Sequence, residues 1–318
     1  YPTRAAPQPP GPRTEAARPL VSIGMPVFNG QNSMRRAIDS LLNQTCRNIE
    51  LIISDNASED GTWDICQEYS AADPRVRISR NPENLGVVAN FKRVLSLAQG
   101  HFFMWAAVDD CWDPAFVATL VDDLERDPEA GVTLCGFDRV KEDGSPYPGF
   151  RLGPGKDPTP KNRLATALSF YTPLKVNYYF YGLFRRDFLA AYIDQYKPMA
   201  AVERWFLAKL ALVKPFRYVD KVLHERTVAA KSFAQRYPDD PLSRHFVQEQ
   251  TSFLDLSPFS EVARFLLRCK EIPWFRKISI APLFVWYLGF QLRNYRFRIQ
   301  RRRKQLRAGR SQKKTAAA

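Results

Sequence analysis

Leu20-Val-Ser-Ile-Gly-Met-Pro26 is a short, nearly unbroken apolar run, and Met34, Ala37, Leu41 and Leu42 follow it at helical spacing. The run has the length and composition of a buried strand. The second pattern is one face of a helix that Asn32 or Ser33 can cap. The alternation then repeats. Ile49–Ser54 (IELIIS) predicts a second strand and Thr62–Ala72 a second helix. Val76–Ser79, Val87–Ala98, His101–Val108, Pro114–Arg126 and Gly131–Phe137 read in turn as strand, helix, strand, helix and strand. Pro114 suits the first turn of its helix. Strands alternating with helices of about 10–15 residues predict right-handed crossovers and a mostly parallel sheet flanked by helices, an α/β fold. Ligands of such open sheets bind beyond the carboxyl ends of the strands. The chemistry should therefore sit just after each strand.

It does. The first strand runs into Pro26-Val-Phe-Asn29, the second into Asp55-Asn-Ala-Ser-Glu-Asp60-Gly-Thr62, and the fourth into Asp109-Asp110. No GxGxxG follows the first strand and no GxxxxGK[ST] occurs, so neither a dinucleotide fold nor a P-loop is supported. Acidic strand ends offer another way to hold a nucleotide. One carboxylate accepts a base N–H, and others hold a divalent cation against the diphosphate.

Composition is ordinary for a globular chain of 318 residues, with 45% apolar and 25% charged residues. The net charge of +14 is unevenly placed. From Ile272 to Ala318 there are 13 basic residues and no acidic one, whereas elsewhere 34 basic residues face 33 acidic ones. The body is nearly neutral, which argues against nucleic acid as a partner. Five scattered cysteines without a CxxC, and three histidines without paired ligand spacing, fit buried free thiols in a reducing compartment better than a zinc site.

The motifs together carry a family pattern. Pro26-Val-Phe-Asn29, Asp55 to Thr62, Asn84-Leu-Gly86 with Asn90, and Ala98-Gln-Gly100 leading to Val108-Asp109-Asp110-Cys-Trp112 occur in the order and spacing of one family. The chain resembles the family 2 glycosyltransferases, well over about Leu20 to Phe137 and weakly to about Ser232. The resemblance implies a GT-A fold and inverting transfer of a sugar from a nucleotide-sugar donor, typically UDP-linked, to a hydroxyl of a glycan or lipid-linked acceptor. It implies that Asp55 reads the base and that Pro26, Phe28 and Asn29 border the base and ribose, with Asn84 and Gly86 also in the nucleotide site. Asp109 and Asp110 match the end of the metal-binding DxD motif and imply Mg²⁺ or Mn²⁺, with Asp109 also near the donor. The first position of that motif is Ala107 here, so one carboxylate is missing. Glu203, in Met199-Ala-Ala-Val-Glu203-Arg204-Trp205, fits the catalytic base, with Asp187 and Asp194 as weaker alternatives. Arg226 fits a cationic contact to the diphosphate, and fits an ordinary surface arginine equally well. Asp122-Asp123, inside a helix, reads as a solvated face.

The layout that follows is a disordered Pro-rich lead-in (1–19, six prolines), a GT-A catalytic domain (20–235), a helical C-terminal region (236–300) and a basic disordered tail (301–318). The domain divides into a nucleotide-binding half (20–140) and an acceptor half (141–235). Its second half begins with a Gly- and Pro-rich loop or lid, Asp143–Pro160. Tyr178–Phe184 then reads as an aromatic strand, Val202–Leu212 as a helix, Phe216–Leu223 as a strand and Leu242–Leu256 as a helix. Trp274, Phe275, Ile278, Leu283, Phe284, Trp286 and Phe290 run into Arg293, Arg296, Arg298 and Arg301-Arg-Arg-Lys304. That order suits an interfacial helix on an anionic membrane, or a helix packed on the body with a solvated basic end. The longest apolar run, Ile278–Phe290, is too short to span a bilayer. The expected place is therefore cytoplasmic, peripheral at the inner face of the cell membrane. Ala107 keeps one rival reading open, a catalytically silent nucleotide-binding protein of the same fold that docks to membranes or partners.

Overall fold

The structure, a computed structural model, describes residues 20–148, 151–155, 157, 159–160, 162–170, 178–198, 202–229, 235, 257–272 and 274. The lead-in, the helix expected at Leu242–Leu256 and the basic tail lie outside the described residues. In chain order the elements are β1 (Val21–Val27), α1 (Met34–Leu42), β2 (Ile49–Asp55), α2 (Thr62–Ala72), β3 (Val76–Arg80), α3 (Val87–Ser96), β4 (Phe102–Trp105) and β5 (Cys111–Trp112). Then come α4 (Phe116–Arg126), β6 (Val132–Lys141), α5 (Arg163–Ser169), β7 (Leu183–Arg185), α6 (Arg186–Tyr192), α7 (Val202–Val213), β8 (Phe216–Val228) and α8 (Ser257–Arg268).

One sheet of eight strands runs in the order β3-β2-β1-β4-β7-β6-β8-β5. The pairs β3/β2, β2/β1, β1/β4 and β6/β8 are parallel, whereas β7 is antiparallel to both β4 and β6, and β5 is antiparallel to β8. The parallel half is the one the alternating pattern predicted. Every residue of β2 is buried, and Val21, Ile23 and Met25 of β1 pack with Met34, Ala37, Ile38 and Leu41 of α1 on one face. On the other face Gly24 gives α3 room, because a Cβ there would stand 2.7 Å from the Phe103 ring and 2.8 Å from Val94. Trp105 anchors that second core. It stacks on Phe180 with ring centroids 4.5 Å apart and donates its indole N–H to Phe91 O at 3.0 Å. Burying a side chain of this size stabilises by roughly 2–3 kcal/mol.

Several expectations need correction. Tyr178–Tyr181 is a 3-10 turn and only Leu183–Arg185 is strand; Gly182 separates them, tight against Thr133 O. The fourth strand stops at Trp105 because the chain leaves the sheet to form the turn bearing Asp109. β6 and β8 are longer than their apolar runs, reaching Lys141 and Val228, because they pair with each other beyond the core. Asp123 is not on a solvated face. It is buried, accepts from Thr133 Oγ1 at 2.7 Å and pairs with Arg217 at 2.8 Å. Ser33 stands at the N-cap of α1 without a side-chain capping bond.

α7 brings the second half to the site. Phe206, Leu207, Leu210 and Ala211 are buried in the aromatic core, and α8 rests Phe265 and Leu266 in the same cluster. Lys209 of α7 is buried beneath α8, donating to Gln195 Oε1 at 3.2 Å, and burial pushes its ammonium down to about 8.

Candidate functional site

Because β2, β1 and β4 are parallel neighbours, their carboxyl ends open on one edge of the sheet. Asp55 is the last residue of β2, in register with Val27 of β1 and Arg80 of β3. Two loops meet there. Asn29 N–H donates to Ser58 Oγ at 2.9 Å, Asn29 Oδ1 accepts from Glu59 N–H at 3.0 Å, and Gly30 N–H donates to Thr62 Oγ1 at 2.8 Å. Asn29 and Ala57 both hold positive φ, 51° and 60°. Non-glycine residues rarely adopt that region, and the strain is typical of loops whose shape serves a site. Pro26 and Phe28 flank the first turn, both half-buried.

Asp55 is fully buried. Its Oδ1 accepts the Ser58 N–H at 3.0 Å, while its Oδ2 has no hydrogen-bond partner although Arg80 Nε lies 3.1 Å away. The pair has the distance of an ion pair without the alignment of a hydrogen bond. Arg80 also donates to Ser58 O at 2.9 Å and lies over the Trp63 ring at 5.4 Å. A cluster of amides braces this edge. Asn90 Nδ2 donates to Ser54 O at 2.9 Å and Ser54 Oγ to Asn90 Oδ1 at 2.7 Å. Asn81 Nδ2 donates to Asn56 Oδ1 at 2.9 Å, and Asn56 Nδ2 to Asn84 Oδ1 at 2.7 Å. Asn84 Oδ1 also accepts from Gly86 N–H at 2.9 Å, and Gly86, at φ 80°, starts α3 in a conformation that favours glycine. Asn84 and Gly86 thus shape the loop beside Asp55. The bracing residues Asn56 and Asn81, and Arg80, were not read from the sequence. The signal was present for Arg80, since parallel β2 and β3 of similar length place their last residues side by side.

The second cluster lies after β4. Asp109 is half-buried; its carbonyl accepts from Thr227 Oγ1 and, at 3.3 Å, from Arg36 Nη2. Asp110 turns the other way, into the protein. Its Oδ2 accepts from His224 Nε2 at 3.0 Å and lies 3.8 Å from Arg226 Nε, and its Oδ1 accepts the Thr227 N–H at 2.9 Å. Burial alone would raise this carboxyl. The His224 hydrogen bond, the Arg226 charge and the Thr227 N–H outweigh burial and hold it below the ordinary aspartate range. His224 is stacked on Trp112 at 5.2 Å, burial lowers its pKa, and its Nε2 faces the Asp110 carboxylate as the donor. Both oxygens already accept a hydrogen bond within the protein, each worth about 1.5–3 kcal/mol to the charged group.

With Ala107 apolar and Asp110 engaged, Asp109 is the carboxylate left of the DxD-like triplet, and no group of three potential metal ligands occurs among the described residues. Asp109 keeps a carboxylate at the position that the resemblance makes the direct metal contact.

Arg226 lies between the rings of Tyr181, 5.1 Å away, and Phe137, 5.5 Å away. Burial holds the Tyr181 phenol well above its usual range, and the charges of Arg226, Asp110, Glu203 and Asp109 all reach it. One neighbourhood therefore collects these four. Glu203 sits in the first turn of α7, half-buried, and burial pushes its carboxyl above the ordinary glutamate range. The alternatives for the base stand elsewhere: Asp187 and Asp194 have side chains 88% and 97% exposed, paired with Arg186 and Lys92.

A chondroitin synthase of Pasteurella multocida is 26% identical over 229 residues, covering 72% of this chain and 23% of that protein. An uncharacterized glycosyltransferase of Haemophilus influenzae is 28% identical over 162 residues, 50% of each chain. The chain thus spans half or less of the length of these curated relatives. Among solved structures, S. aureus TarS 1–349 in complex with UDP-GlcNAc superposes with a TM-score of 0.60 at 18% identity, covering 83% of this chain and 71% of that one, a likeness of fold. Residues 22–193, more than half of the sequence, match Glycosyl transferase family 2, and the chain belongs to that family, with its GT-A fold.

Proposed function

We propose that the chain transfers a sugar from a UDP-sugar to a hydroxyl of a glycan or lipid-linked acceptor, with inversion at the anomeric carbon. The observation that carries this reading is the buried Asp55 Oδ2, an acceptor with no hydrogen-bond donor at the carboxyl edge of the sheet. A pyrimidine N–H supplies the missing donor. Pro26, Phe28 and Asn29 border the base and ribose, Asn84 and Gly86 hold the neighbouring loop in shape, and the diphosphate extends past Asp109 toward Arg226. The acceptor hydroxyl oxygen attacks the anomeric carbon as the bond to the β-phosphate oxygen breaks. Its electron pair leaves with the diphosphate and the hydroxyl proton passes to Glu203. A carboxyl raised by burial is a stronger base than an ordinary glutamate, which suits that role.

Family members typically use a divalent metal, and their diphosphate charge develops where it would sit. Asp109 would hold such an ion, which would offset the charge that develops on the leaving diphosphate.

Asp55→Ala tests the nucleotide site. Calorimetry should show UDP affinity reduced about tenfold or more, since a charge-assisted hydrogen bond is worth roughly 1.5–3 kcal/mol. Unchanged affinity would remove Asp55 from base reading.

A second reading concerns the place of action. The uneven charge, with 13 of its 14 excess positive charges in residues 272–318, favours docking on an anionic membrane that presents a lipid-linked acceptor. Among the described residues no helix is long and apolar enough to cross a membrane. The full chain should float with vesicles containing phosphatidylglycerol at low salt and be released at high salt. A chain ending before Ile272 should stay behind, and equal flotation of both would refute the tail's role.

A further inference from the structure

We infer that Thr227, near the end of β8, is a positioning residue: its hydroxyl, seconded by Arg36, fixes the turn that carries Asp109 and so sets where that carboxylate meets the donor diphosphate. The inference rests on the nucleotide reading above and adds the residue that aims one of its side chains.

The register of the sheet shows why a side chain is needed there. β5 and β8 are antiparallel, with Trp112 set against His224 and Cys111 against Glu225. Asp113 N–H donates to Leu223 O at 3.0 Å, so the hydrogen-bonded pairs of this ladder fall at every second residue. After Cys111 and Glu225 the next such pair would be Asp109 and Thr227. The ladder breaks at that pair. Thr227 N–H, which would otherwise reach Asp109 O, donates at 2.9 Å to the side chain of Asp110, through Oδ1. The Thr227 hydroxyl takes its place and donates to Asp109 O. Asp109 is thereby released from strand geometry and held in a turn.

Arg36 completes the hold. From α1 its Nη2 donates to Asp109 O at 3.3 Å and to Thr227 Oγ1 at 3.2 Å. The hydroxyl thus donates one bond and accepts another, and bonds linked in this way polarise and strengthen one another. Thr227 is itself fixed, because β8 pairs with β6 and sets Thr227 beside Val140. Neither Thr227 nor Arg36 has to touch the donor for this. Both act through the backbone of Asp109. Valine has the branched shape of threonine and its preference for strands, but it offers neither a donor nor an acceptor.

The test is calorimetric titration of the full chain with UDP in Mn²⁺, with uridine as the control. Thr227→Val should lower UDP affinity about tenfold, the low end of what partners of ligating groups contribute, and leave uridine affinity unchanged. Thr227→Ala removes the same hydroxyl and serves if the valine variant does not fold. Thr227→Ser, which keeps the hydroxyl, should bind UDP within about threefold of wild type. A cycle with Asp109→Ala separates positioning from general support of the fold. Acting through Asp109, Thr227→Val should cost less than about twofold once Asp109 is alanine. A full tenfold loss in that background, a serine variant as weak as the valine one, or wild-type affinity in Thr227→Val overturns the inference. If wild type binds neither UDP nor uridine, or if Asp109→Ala binds UDP as wild type does, the nucleotide reading has failed and the inference falls with it. If Asp109→Ala weakens UDP binding and Thr227→Val does not, the reading stands and this inference alone is lost.

Discussion

Glu203→Gln should lower turnover by about 10²–10⁴-fold while UDP affinity stays unchanged, the range that a positioned general base contributes. Gln preserves the volume and one acceptor oxygen but cannot take a proton. The pH dependence makes the assignment specific. Burial raises the Glu203 carboxyl above its ordinary value of 4.5, with Arg204 and Arg226 opposing the shift in part. The base works ionised, so wild-type kcat/KM should fall as pH drops through this raised pKa. The residual activity of the Gln variant should be flat over the same window. Stability should move in the opposite direction. A carboxyl whose folded pKa is raised costs nothing while it is protonated in both states, below its unfolded pKa. The cost appears as pH rises and is full above the folded pKa. At neutral pH the Gln variant should therefore melt no lower than wild type. A variant that loses activity and melts lower has lost structure, and one with wild-type turnover sends the search for the base elsewhere.

The first half of the fold was legible because local patterns decide it. β1 and β2 are apolar runs buried on both faces, α1 carries its apolar residues at helical spacing, and the motifs fall where parallel strands end. The second half depends on pairings between distant segments. β7 is three residues long and takes its identity from lying between β4 and β6, which no local period encodes. The aromatic residues of 178–184 would be apolar in a strand or in a turn, so their composition could not separate the two. Asp123 shows the same limit for charge. Its position inside an amphipathic helix reads as solvent-facing until Arg217 of β8, 94 residues later, arrives to pair with it. The motif residues of the site could be read as types, but which way each points could not.

Asp109 and Asp110 make that last point testable. Asp109 belongs to a turn, and Asp110 leads directly into the extended pair Cys111–Trp112, where successive side chains point to opposite sides. Adjacent carboxyls are thereby sent in different directions, and their substitutions should fail differently. Asp110→Ala strips His224 Nε2 and the Thr227 N–H of their acceptor and leaves Arg226 beside a void. Removing one partner from a buried charged network costs roughly 3–5 kcal/mol. For a domain of this size that lowers the melting temperature by roughly 10 °C. Asp109→Ala removes a half-buried turn side chain and should change stability by about 1 kcal/mol or less, while transfer to the acceptor falls. Denaturant titration and activity measured on both variants decide the matter. Equal loss of stability would mean that Asp110 is no more structural than its neighbour. A stable Asp110→Ala protein would mean that the fold does not depend on the bonds from Asp110 to His224 and Thr227.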